Sequence, residues 1–191
     1  MRLFDNFWRR WWFLQIVVGI LLRLFLAATT LHSDLWALVF SSHLLAYKGI
    51  LNIYDFLTSL PSGNNWYQLF GPGVFTYPPV AYFTLGGFLF LLRPLVDLSF
   101  LTYFINHPPV SSLGNSGLYY HLLIFKLPYL FFDLGLAYFL CRLFPKEEQK
   151  KTALLFWLFN PLSLYTSFMV GQFDIIPVFF VVLSQIGRAH V

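Results

Sequence analysis

An all-α, polytopic integral membrane protein is the fold class this sequence predicts, on three observations. Hydrophobic residues make up 58% of the 191 residues and aromatic residues 21%, while only 10% are charged. Soluble domains carry roughly 25% charged residues, and a water-soluble fold of this length could not cover so much apolar surface. Mean hydropathy is +0.67, and apolar runs of bilayer-crossing length recur along the chain. The basic residues gather at the ends of those runs, where orientation in the membrane is decided. The net charge of +4 is therefore no nucleic-acid signal. The single cysteine, Cys141, excludes an intrachain disulfide and a cysteine-based metal cluster.

Residues 1–10 form a basic head with Arg2, Arg9 and Arg10. Residues 11–28 are the first span, with Trp8, Trp11 and Trp12 at the level where indoles settle. Arg23 interrupts this run and no small-residue cleavage site follows, so it does not read as a signal peptide. The stretch 31–118 is a long first external loop of mixed character. It holds an amphipathic helix over 35–47, turn chemistry at Pro61-Ser62-Gly63-Asn64-Asn65 and Gly71-Pro72-Gly73, and an apolar piece over 80–92 led by Tyr77-Pro78-Pro79. His107-Pro108-Pro109 and Gly114-Asn115-Ser116-Gly117 close it as loops. Residues 119–143 are the next span, 145–151 a polar connector and 152–170 a third span. After a break at Gly171-Gln172-Phe173-Asp174, another begins at 175.

The final segment, 185–191, back-translates as CAG ATC GGA AGA GCA CAC GTC, which matches a common sequencing adapter. It is expected to be a non-native, adapter-derived tail, with residues 1–184 the N-terminal part of a longer protein.

Sidedness follows from charge. The head carries three Lys or Arg and 142–151 carries four, against two in 30–118, Lys48 and Arg93. The positive-inside rule places both dense segments in the cytoplasm, so an even number of crossings separates them. Spans 11–28 and 119–143 supply two. The piece at 80–92, short of the roughly 20 residues a crossing needs, is then expected to be interfacial or re-entrant, a full span being the alternative. Asp34 and Asp174 both come out on the external side.

An ionised carboxylate beside lipid costs at least a few kcal/mol, so isolated acids in such a chain are functional candidates. Asp34, in Leu31-His32-Ser33-Asp34, reads either as a helix cap together with Ser33 or as a general base just above the bilayer. Asp174 reads either as a cap for the following helix, with Pro177 in its first turn, or as a second catalytic carboxylate. Lys126 and Asp133 lie about two turns apart on one helical face. They form a charge network with Arg23, or else Lys126 serves as counter-charge to a lipid-linked phosphate, beside a helix opened at Pro128. Tyr77, Asn160 and Gln172 are supporting candidates. His32 and His43 make no ligand set with Asp34, so neither a metal nor another cofactor is expected.

The order of these features resembles the GT-C class, polytopic glycosyltransferases that use polyprenyl-phosphate sugars. It is most similar to the bacterial relatives of the glycosylphosphatidylinositol mannosyltransferases. Four parts carry the resemblance: Asp34 followed by Gly49 and Tyr54; Tyr77-Pro78-Pro79; Lys126-Leu127-Pro128-Tyr129-Leu130-Phe131-Phe132-Asp133; and Trp157-Leu158-Phe159-Asn160-Pro161 followed by Gly171-Gln172-Phe173-Asp174. It covers residues 10–184. It implies a GT-C-like helical bundle in a bacterial plasma membrane with the N-terminus cytoplasmic. The implied reaction moves a hexose, often mannose, from a polyprenyl-phosphate donor to a glycan, lipid or protein acceptor outside. The family's first-loop acidic residue falls on Asp34, and the chain has one Asp there where eukaryotic members have Asp-x-Asp. The competing expectation is a transporter or lipid flippase, with Lys126, Asp133 and Arg23 lining a pathway that Asp174 gates.

Overall fold

The computed structural model describes the backbone of residues 2–71 and 75–188, and the side chains of 12–71 and 75–185. The Trp8 and Trp11 side chains, Pro72 and Gly73 of the expected turn, and the last three residues of the tail fall outside that range. All regular structure is helical among the described residues. Two units divide the chain, one formed by Met1–Thr29 with Tyr129–Val191 and the other by Thr30–Pro128.

The first unit holds α1 (Arg2–Thr29), most of α7 (Leu118–Arg142), α8 (Glu147–Leu158), the single turn α9 (Pro161–Ser163) and α10 (Ile175–Arg188). Among the described residues of the chain, three helical stretches are long and apolar enough to cross a membrane: Trp12–Thr29, Leu118–Arg142 and Glu147–Val170. The last is not one straight helix. Pro161 has no N–H to continue the ladder, and Asn160 restarts it by accepting the Leu162 N–H at 2.9 Å. Beyond α9, residues Leu164–Val170 form a π-helical segment, in which Gly171 N–H donates to Thr166 O five residues back, at 3.0 Å. A wide turn of this kind ends only where the backbone can reverse hand, and Gly171 does so at φ 79°. α1 packs on α8 and on the π-helical segment. α10 runs through 185–188, so the expected tail begins as a continuation of helix.

The second unit is built round α2 (Ser33–Lys48), with α3 (Ile53–Ser59), α4 (Asn65–Phe70), α5 (Pro79–Leu92) and α6 (Leu98–Asn106). The expectation of an amphipathic α2 needs correction. Nearly every residue from Leu35 to Leu44 is buried, on all faces. Its polar residues do not make a wet side, because Ser41 and Ser42 return their hydroxyls to Leu38 O at 2.9 and 2.7 Å. α2 packs on α5 and α6, and Gly86 marks the closest approach: a Cβ there would stand 2.6 Å from a Leu45 methyl. Phe40 stacks on Phe70 at 3.8 Å, and Trp36 donates its indole N–H to Phe104 O at 2.7 Å. α5, at 14 residues and about 1.5 Å of rise each, reaches about 21 Å, less than the roughly 30 Å hydrocarbon core.

Candidate active site

Each unit contains a polar cluster that includes a candidate acid. In the first unit Arg23 and Asp133, both 0% exposed, form an ion pair of 2.6 Å. α8 ends nearby with orphan carbonyls, and Arg23 takes two of them: Leu158 O at 2.6 Å and Trp157 O at 3.1 Å. It also donates to Gly19 O within its own helix at 3.1 Å. Asp133 accepts from the Trp157 indole and the Ser163 hydroxyl, both at 3.1 Å. A guanidinium at a helix C-terminus answers both the free carbonyls and the helix dipole. Both members of the ion pair are thus held by several further hydrogen bonds.

The second unit's cluster is open. His32, not Ser33 or Asp34, caps α2: its Nδ1 accepts the Asp34 backbone N–H at 3.2 Å. The same nitrogen lies 3.6 Å from Asp34 Oδ1. Since its lone pair is engaged with an N–H, the contact is a near approach and not an ion pair. The Asp34 carboxylate takes a hydrogen bond from the Tyr77 hydroxyl, and burial together with the Asp34 charge pushes the Tyr77 phenol well up, so Tyr77 stays a donor. Tyr54 O–H in turn donates to Tyr77 O, fixing the strand of chain that leads into α5. The Asp34 side chain remains 25% exposed and His32 45%.

Behind this cluster lies Lys126, 1% exposed. Its ammonium donates to Thr30 O at 2.7 Å and Thr30 Oγ1 at 2.9 Å. It thereby anchors the three-residue link between α1 and α2. Helical spacing puts Lys126 and Asp133 on one face, but the two engage different partners. Sequence reasoning missed Thr30 and Ser163; a Ser just past the Asn160-Pro161 break was the available signal for the latter.

Asn160 is a helix cap in the first unit. Gln172 donates its backbone N–H to Thr166 O at 2.9 Å, within the turn that Tyr129 ties by donating to Gly171 O at 2.8 Å. Asp174 is exposed. It belongs to the first unit and Asp34 to the second. No group of three or more His, Cys, Asp or Glu suited to a metal occurs among the described residues. The chain matches no protein-family model, no curated protein and no solved structure.

Proposed function

We propose that this chain belongs to a multi-pass membrane glycosyltransferase that moves a hexose from a polyprenyl-phosphate donor to an acceptor on the extracytoplasmic face. The observation that carries the reading is Asp34. It is a partly exposed carboxylate at the head of a buried helix, beside the capping His32 and hydrogen-bonded by Tyr77. That is the geometry a positioned general base needs. In the reaction the acceptor oxygen attacks the anomeric carbon as the bond to the phosphate oxygen breaks. The acceptor's proton passes to Asp34, the polyprenyl phosphate leaves with the electron pair, and the configuration inverts. Lys126 holds the chain leading to Asp34 through its two hydrogen bonds to Thr30.

The test uses membranes from cells making the protein, supplied with polyprenyl-phosphate mannose carrying a labelled sugar. Asp34→Asn is expected to lower transfer by about 10²–10⁴-fold with membrane insertion intact. Full transfer by that variant removes Asp34, and with it the proposal. Sidedness is checked by replacing Cys141 with Ser and labelling single cysteines at 34, 97, 148 and 174. Positions 34, 97 and 174 are expected to react from outside and 148 from the cytoplasm.

A further inference from the structure

His43 lies about half a helical revolution from Asp34 on α2, at about 3.6 residues per turn. A cavity of about 250 Å³ opens on that side, lined chiefly by His43, Tyr47 and Lys48 of α2, Trp66 of α4, and Thr102 and Asn106 of α6. His43 is only 5% exposed, and its Nδ1 is buried with no hydrogen-bond partner. Such an atom is costly to bury and calls for a reason. Burial, and then the Lys48 charge, hold its pKa down at about 4, so the imidazole is neutral near pH 7.

No carboxylate lines the cavity. Lys48 enters no ion pair among the described residues. Arg93 places its guanidinium 4.7 Å from the Tyr47 ring centre, and its Nε is likewise buried without a partner. Asp97, just before α6, is turned to its own helix, accepting the Ser99 N–H at 2.8 Å. Trp66 and Asn106 satisfy each other at 2.8 Å and leave the indole as an apolar wall. The cavity thus offers positive charge, an unsatisfied imidazole and a flat ring, with no opposing acid.

We infer that this cavity binds a phosphate ester, its anion held by Lys48 and His43 with the Arg93 charge behind, and its compact organic part against Trp66. The volume admits a phosphate with a substituent the size of glycerol. The ester is either a soluble metabolite or the headgroup of an anionic lipid. The site stands whether or not Asp34 is catalytic.

Two arms test it on the full chain. In the first, protein in dodecyl maltoside micelles is titrated at low salt with sn-glycerol 3-phosphate, with uncharged glycerol as control, and the heat is read. In the second, protein in phosphatidylcholine nanodiscs is compared with protein in discs containing phosphatidylglycerol, and the unfolding midpoint is read. A saturable response in the first arm assigns a soluble ester, and one in the second alone assigns a lipid headgroup. Either response is expected to weaken roughly tenfold in Lys48→Gln, as for a charge-assisted hydrogen bond, and to persist in Lys150→Gln. Lys48 is exposed, so its replacement spares the fold. Silence in both arms overturns the site, as does equal binding of glycerol or a response that Lys48→Gln leaves intact.

Discussion

Asp133 and Asp34 are the same side chain in two opposite circumstances. Asp133 is fully buried, paired with Arg23 and fed by Trp157 and Ser163. Asp34 keeps a quarter of its surface open and holds Tyr77. In the first case every charge has been spent on closing helix ends. In the second, a neighbouring imidazole does the capping and the partly exposed carboxylate accepts from Tyr77. The contrast teaches that neighbours decide whether an acid in an apolar chain is closed off or keeps part of its surface open.

The largest effect is expected from breaking the closed cluster. Arg23→Met leaves Asp133 buried and uncompensated, and should cost about 3–5 kcal/mol in denaturant unfolding of the micelle-solubilised protein. Adding Asp133→Leu should recover most of that loss. A single variant as stable as the parent would show that the pair is not what holds α1 to the end of α8.

Next comes pH. Because burial holds His43 at about 4 against an ordinary 6.5, the folded protein refuses a proton that the unfolded chain accepts. Its contribution is complete above about pH 6.5 and drains away as pH falls toward 4, with a ceiling of about 3 kcal/mol. A stability titration of His43→Gln should lack that part of the acid slope; an unchanged slope assigns it to other groups.

Tyr77→Phe should cost about 1.5 kcal/mol, the worth of a hydrogen bond to a charged acceptor, and should slow sugar transfer while leaving it measurable. Transfer at the parental rate would mean that Asp34 needs no orienting partner. The smallest change is expected at exposed Asp174, where Asp174→Asn should stay within about 0.5 kcal/mol in the same unfolding assay. A larger loss would expose a structural role there.

The spans were legible because long apolar runs have few ways to fold. α1 and α7 lie within a few residues of where composition puts them, apart from the first turns of α1 through the basic head. The break at Asn160-Pro161 was visible as a motif, and its local consequence follows from proline alone. What escaped was anything set by partners. α3 and α4 are too short to announce themselves against turn-rich neighbours such as Pro61-Ser62-Gly63-Asn64-Asn65, where α4 begins. The burial of α2 on every side was hidden by its serines, since sequence records a hydroxyl but not that Leu38 O accepts it. Lys126 reads as a charge in search of a ligand, and only the fold reveals that Thr30 is waiting for it. In the Asp34 cluster the acid and Tyr77 were both nameable from sequence, whereas the capping by His32 was not.

The guanidinium that bridges α1 to the end of α8 also has a consequence in time. Arg23 emerges from the ribosome long before Trp157 and Leu158 are synthesised. During that interval the first helix, if it enters the bilayer, has at first no Asp133 carboxylate to pair with its Arg23, so its partition from the translocon should be provisional and ratified only when later segments arrive. Nascent chains arrested before residue 157 should leave α1 extractable by alkaline carbonate, and chains arrested after residue 170 should resist it.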